Sequence, residues 1–308
     1  MTASARLLST GIRTLGAVSP DLSARLALRL FFTTTPRMAV RDADRATHEE
    51  ARQERIRLRG SDVLVYRWGR GERAVLLLHG WQGRASQFAP LVRELVAEGF
   101  RVVAFDAPAH GGSGGRRTDI RDWVELAERL GRTDGPFDAL VGHSFGGLAA
   151  LTAARTGTPV PRVAAIASAA SPTAFLTEFS RGLGLSPAVA SRFTRRFAAR
   201  FGLDAAGIAA AYDAVGDPLP DGTELLVVHD RGDRRMPEAD ALRLHAAHAG
   251  RSRLLRTEGY GHNRVLQADA VLDAVLDLVR SDPREQTGRP TGSRTRADDT
   301  AAQAVTAG

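Results

Sequence analysis

Phe137-Asp138-Ala139-Leu140-Val141-Gly142-His143-Ser144-Phe145-Gly146-Gly147 is the stretch on which the fold turns. Residues 137–141 have the apolar, β-prone texture of a strand buried on both faces. Residues 144–156 follow as an Ala- and Leu-rich helix with no intervening loop. Between them, 142–146 read G-x-S-x-G, a pattern that carries weight because it sits where a strand passes directly into a helix. Such a turn forces the serine backbone into a strained conformation. Glycines at 142 and 146 remove the side chains that would collide with neighbouring backbone. Ser144 Oγ is then lifted clear of the sheet, at the amino end of a helix whose dipole and free N–H groups favour developing negative charge.

Outward from this turn, strands and helices alternate. Strands are expected at 74–78, 101–105, 163–167, 225–228 and 252–256. Helices are expected at 84–98, 237–249 and 263–280, and another on the face of Ile120, Trp123, Val124, Ala127 and Leu130, closed by Gly131. This alternation implies an α/β protein with a mostly parallel, twisted sheet and helices on both faces. Residues 53–59 and 62–68, split by Gly60-Ser61, suggest a leading antiparallel hairpin. Residues 172–220 break the alternation with a helical insertion that holds five of the twelve Phe: Phe175, Phe179, Phe193, Phe197 and Phe201.

Two flanks lie outside this pattern. Residues 1–52 form a helical pre-domain, in which Leu7, Leu8, Ile12 and Leu15 keep helical spacing. Ser19-Pro20-Asp21 starts a second helix, carrying Leu22, Leu26 and Leu30 beside Arg25 and Arg29. That stripe predicts a helix docked on the body; membrane-surface contact through 1–32 is the alternative. Arg6 and Arg13 interrupt any secretory apolar core, so a cytoplasmic location is expected. Residues 282–308 lack periodicity and are expected to be disordered.

Composition narrows the function classes. The 308 residues are 43% hydrophobic and 25% charged, ordinary for a globular chain. No run approaches a membrane span. The absence of cysteine excludes disulfides, thiolate metal sites and a Cys nucleophile. The net charge of +7 comes entirely from Arg, spread among Asp and Glu without a basic block, so no nucleic-acid partner is expected.

A nucleophilic serine needs a base, and the base needs an orienting acid. His262, in Gly259-Tyr260-Gly261-His262 after the last strand, is the candidate base. His79 is expected to brace its loop, while His245 and His248 read as surface residues. The acid belongs after the strand at 225–228, where Asp230 and Asp233 both qualify; Asp233, just before Met236-Pro237, is preferred. Backbone N–H groups of Trp81, in the loop His79-Gly80-Trp81-Gln82-Gly83, and of Phe145 could bind an oxyanion.

The chain from about 53 to 281 resembles the α/β-hydrolase superfamily. The matching motifs are His79-Gly80-Trp81, Asp106-Ala107-Pro108-Ala109-His110-Gly111-Gly112-Ser113, Gly142–Gly147, Asp233 with Met236-Pro237, and Gly261-His262. The resemblance implies the α/β-hydrolase fold, a Ser144–Asp233–His262 triad with Asp233 rather than Asp230 as acid, and a helical cap at 172–220. Ala109 departs from the Gly that many relatives carry. The implied activity is hydrolysis of a carboxylic ester or thioester of a small apolar acyl substrate through a serine acyl-enzyme, with no metal or other cofactor. An acyltransferase or cofactor-free perhydrolase on the same triad is the alternative. Phe175, Phe193 and Phe197 are candidate pocket residues. Arg192, Arg195, Arg196 and Arg200 beside them suggest a preference for anionic leaving groups such as coenzyme A thioesters.

Overall fold

A computed structural model of the chain describes residues 3–281, with side chains from Ser9 onward. The expectations for the tail at 282–308 and for Leu7 and Leu8 fall outside what is described. Eight strands form one sheet in the order β1-β2-β4-β3-β5-β6-β7-β8. They are β1 (Arg52–Leu58), β2 (Ser61–Trp68), β3 (Ala74–Leu78), β4 (Arg101–Asp106), β5 (Ala139–His143), β6 (Arg162–Ile166), β7 (Glu224–Asp230) and β8 (Ser252–Thr257). β2 pairs antiparallel with β1 and β4; every other pairing is parallel. The fold class expected from the sequence is the one observed.

The central strands are apolar throughout because both faces are covered: β3 and β5 are buried at every position. One face packs on α5 (Ile120–Thr133), α6 (Phe145–Thr156) and α10 (Glu238–Ala247). The other packs on α4 (Ala89–Ala97) and on α12 (Asp269–Arg280), which follows the single-turn α11 (Gly261–Arg264). The outermost strand, β1, is mostly exposed and carries Arg52, Glu54, Arg55 and Arg57, charges that discourage pairing with another sheet edge. Its hairpin differs by one residue from expectation. Leu58 pairs with Ser61, so the turn residues are Arg59 and Gly60, both at positive φ, as a two-residue hairpin loop demands. Gly131 does not end α5, which runs on to Thr133 and stops before Gly135-Pro136.

The insertion at 172–220 contains three helices: α7 (Pro172–Leu183), α8 (Pro187–Arg200) and α9 (Ala205–Tyr212). Ahead of the sheet lie α1 (Ala3–Val18), α2 (Pro20–Phe31) and α3 (Asp42–Glu49). Ser19 caps α2 as its sequence suggests, accepting a hydrogen bond from Leu22 N. The helix docks, but not through its leucine stripe. Leu22 and Leu26 are 46% and 37% exposed, while Ala24, Ala27 and Phe31 face α8. Bulky Phe193 and Phe197 project from α8, so the facing helix supplies small residues that let the two backbones close up.

Candidate active site

The turn between β5 and α6 is strained as its glycines suggest. Ser144 adopts φ 55°, ψ −119°, a conformation that costs of order 1–3 kcal/mol and persists only where the surroundings impose it. A Cβ on Gly142 would lie 2.2 Å from Gly146 O, and one on Gly146 would lie 2.0 Å from Leu78 O. Ser144 N–H is anchored on Ile166 O of β6 at 2.9 Å.

The loop after β8 brings His262 to this serine. His262 Nε2 is 2.9 Å from Ser144 Oγ, and His262 Nδ1 is 2.7 Å from Asp233 Oδ2. A carboxylate facing Nδ1 assigns the ring proton there and leaves Nε2 free to accept from the serine hydroxyl. Burial by itself would raise the Asp233 pKa. The His262 ring and the N–H groups of Arg235 and Met236 outweigh it and hold the carboxyl below its usual value. The sequence-predicted Ser144, His262 and Asp233 therefore form one hydrogen-bonded chain.

Asp230 points elsewhere. Its carboxylate accepts from Gly261 N (2.8 Å), Tyr260 N (3.1 Å), Gly232 N (2.9 Å) and Thr257 Oγ1 (2.8 Å). These donors overcome the upward pull of burial and lower its pKa. Asp230 ties the His262 loop to the end of β7. His143 is a second support that the sequence did not reveal. Its Nδ1 accepts from Gln87 Nε2 at 2.9 Å, so its Nε2–H donates to His262 O at 2.8 Å. Burial, reinforced by neighbouring His262, lowers its pKa to about 3, so the ring is neutral near pH 7. Nothing local marks this role, because its partners lie 56 and 119 residues away in the chain.

His79 braces its loop: buried completely, it accepts from Ala107 N at 3.0 Å and donates through Nδ1 to Gly80 O at 2.7 Å. Gly80 is packed against the turn, where a Cβ would sit 3.1 Å from both His143 O and Ser144 Cβ. That close approach brings the loop after β3, which carries Trp81, up against the serine turn. At the end of β4 and its following loop, buried Asp106 accepts from Ala85 N, Gly112 N and Tyr66 Oη. Ala109 stands there at φ 64°, the left-handed region in which glycine would be unstrained.

An apolar cavity of about 710 Å³ opens beside the turn, lined by Trp81, Phe145, Leu148, Met236 and residues of the insertion. Phe175 and Phe197 line it; Phe193 does not. Phe193 is fully buried between Phe31 and Phe179, with ring centroids 5.6 and 5.4 Å away. The flanking arginines are engaged: Arg196 pairs with Asp21, and Arg200 lies over the Phe32 ring at 4.3 Å. The arginines that line the cavity are Arg181, Arg234 and Arg235. His248 is not a surface residue either. It is buried, accepts from Leu219 N and donates to Leu244 O. Among the described residues no cluster of His, Asp or Glu is placed to hold a metal ion, and no helix is long and apolar enough to cross a membrane.

A family model described as the alpha/beta hydrolase family matches residues 75–274. The chain belongs to that family. A pimeloyl-[acyl-carrier protein] methyl ester esterase of Stenotrophomonas maltophilia is 36% identical over 134 residues, which cover 44% of this chain and 49% of the relative. The match thus spans about half of that curated relative's length. Among solved structures, this alpha/beta hydrolase is similar to an esterase of Pyrococcus furiosus (TM-score 0.59, 16% identity, 81% of this chain and 97% of the other). It is also similar to mouse alpha/beta hydrolase domain-containing protein 10 (0.59, 15%, 74% and 97%). The thioesterase domain of the curacin biosynthetic pathway is a third (0.53, 16%, 75% and 99%). At these identities the structural likenesses speak for the fold.

Proposed function

We propose that this protein is a serine hydrolase that cleaves a carboxylic ester or thioester of a small apolar acyl substrate through an acyl-enzyme. One observation carries the reading: the hydrogen-bonded chain from Asp233 through His262 to Ser144, set beside an apolar cavity. Similarity to a methyl ester esterase supports ester chemistry. Ser144 Oγ attacks the acyl carbonyl carbon while its proton passes to His262 Nε2. Asp233 holds the resulting imidazolium. The tetrahedral oxyanion is met by the N–H groups of Trp81 and Phe145, at the positive end of α6. Collapse breaks the bond to the alcohol or thiol, which leaves with the proton from His262. Water then attacks the acyl-enzyme by the same route, releasing the carboxylic acid and restoring Ser144. No step calls on a metal or organic cofactor. A cavity of this size suits a drug-sized or medium-chain acyl group, whose apolar wall contacts supply binding.

The test is turnover of p-nitrophenyl esters of graded chain length, with and without an alcohol acceptor. Hydrolysis without acceptor is expected, and Ser144→Ala is expected to lower kcat by about a thousandfold or more in a protein that stays folded. A folded Ser144→Ala protein that keeps most of its activity overturns the mechanism. Transfer only in the presence of the acceptor replaces hydrolysis with acyl transfer.

A further inference from the structure

The family match begins at residue 75, yet the cavity is not built from the matched segment alone. Leu30, Phe31, Phe32, Thr33 and Thr35, from the end of α2 and the strand of chain after it, line the same cavity as Trp81 and Phe145. Phe31 is the hub of an aromatic cluster, meeting Phe32, Phe179, Phe193 and Phe197 edge-on at 5.1–5.7 Å. Phe32 stacks on Phe197 at 5.9 Å and meets Trp81 edge-on at 6.1 Å. The backbone that follows grips the loop after β3. Thr33 O accepts from Trp81 Nε1 at 2.9 Å and from Gln82 Nε2 at 3.2 Å; Thr35 O accepts from Gln82 Nε2 at 3.2 Å. Gln82 is held at φ 58°, a left-handed conformation that a non-glycine residue keeps only under constraint. Further along, Arg37 donates to Ser113 O and Gly115 O, and Met38 O accepts from Arg84. These bonds fasten the segment across the body rather than leaving it as an appendage.

We propose that residues 30–35 are a working part of the site. Leu30, Phe31 and Phe32 form an acyl-chain wall supplied from outside the matched segment, and the Thr33 and Thr35 carbonyls act through Trp81 and Gln82 to position the loop that presents the Trp81 N–H. The ligand this wall takes is a straight-chain apolar acyl group. That identification rests on the hydrolase reading, whereas the wall and the clasp are features of the segment itself. Neither Trp81's indole nor Gln82's amide touches the reacting atoms on this account; both are positioning groups.

Two measurements that need no turnover test the proposal on the full chain. The first is binding of straight-chain carboxylic acids of graded length, by displacement of a fluorescent anilinonaphthalene probe. Each methylene that the wild-type cavity accommodates should tighten binding about fourfold. Phe32→Ala should move the optimum to longer acids. Leu30→Trp, at a half-buried position lining the cavity, should move it to shorter ones. Wild-type profiles in both variants overturn the wall. The second is amide hydrogen exchange of residues 79–84 in the double variant Trp81→Phe/Gln82→Leu, which keeps an aromatic ring and a similar volume but removes the clasp donors. Exchange there should quicken at least about tenfold while α12 keeps its protection. Unchanged exchange overturns the clasp. Where wild-type protein hydrolyses esters, the double variant should lower kcat on p-nitrophenyl acetate about tenfold with little change in KM, because only oxyanion positioning is lost. Wild-type kcat likewise overturns the clasp. Absence of ester turnover in folded wild-type protein defeats the hydrolase reading alone and leaves the binding and exchange results to judge the segment.

Discussion

Asp230 and Asp233 stand three residues apart after β7 and receive different hydrogens. Asp233 takes one from the His262 ring and two from the backbone amides of Arg235 and Met236; Asp230 takes three from backbone amides and one from Thr257. Replacing each by Asn separates the two roles. Asp233→Asn leaves His262 in place without the carboxylate that fixes its tautomer and steadies its charge, and should cost about 10⁴ in kcat by analogy with other triads. Asp230→Asn turns an amide NH₂ toward N–H donors. The lost charge-assisted bonds should cost about 2–4 kcal/mol of stability, read by denaturant unfolding, with a far smaller loss of kcat. If Asp230→Asn were the more damaging to kcat at equal stability, the orienting acid would be misassigned. Motif and spacing alone led to Ser144 and His262, because a tight turn and a short loop write their needs into adjacent residues. They favoured Asp233 over Asp230 from its place before Met236-Pro237, and the family resemblance made the same choice. They gave no sign of His143, whose task depends on Gln87 and His262, groups that only the folded chain brings near.

The helices of the insertion show where periodicity stops being informative. Phe193, Phe197 and Phe201 recur every four residues; Phe193 and Phe197 lie on α8, and Phe201 caps its C-terminal end. Each step also drifts about 40° around the helix, since four residues turn it through about 400°. The drift is enough to carry the stripe from α2 to the cavity: Phe193 is buried in the interface and Phe197 reaches the lumen. The leucine stripe of α2 fails for a related reason. Spacing identifies a face, but the partner decides which face is used, and α8 selects Ala24 and Ala27. The centre of the parallel sheet was legible because β3, β5 and β6 are buried at every position and carry the apolar runs 74–78, 139–141 and 163–166. These differences make a paired test. Phe193→Ala should cost about 3–5 kcal/mol of stability and leave the preferred ester chain length where it was. Phe197→Ala should also lower the melting temperature, but it should shift the preferred chain length upward as the lumen widens. An identical chain-length profile for Phe197→Ala and wild type would make that ring packing alone.

Across the whole molecule, several histidines are held neutral by burial. Burial lowers His79 to about 4, and it lowers His110 and His143 to about 3, with a neighbouring histidine adding to the effect in the latter two. In the unfolded chain each returns to about 6.5. Above that pH neither state binds these protons, and the rings contribute nothing to the pH dependence of stability. As pH falls below about 6.5 the unfolded chain takes up protons that the native protein refuses, so unfolding becomes progressively more favourable. The loss continues until the native rings themselves protonate, near the folded values of about 4 and 3. Once the unfolded chain is fully charged, each ring contributes about 1.4 kcal/mol per pH unit, so the three together give about 4. Carboxylates held below their usual value, Asp233 and Asp230 among them, act in the same direction but only below about pH 4, where the unfolded carboxyls begin to protonate. The two windows are therefore separable. Denaturant unfolding between pH 7 and pH 5 should show a steep loss of stability. Calorimetry at pH 5 in two buffers of different ionisation enthalpy should register uptake of about three protons or more on unfolding. His248→Gln provides an internal control. His248 is also lowered by burial, so its removal should reduce the uptake by up to one proton. A stability that stays level from pH 7 to pH 5, or an uptake near zero, would mean that these rings are charged in the folded protein. His143 would then be unable to accept from Gln87 while holding His262, and the support assigned to it under the base would fail with the stability argument.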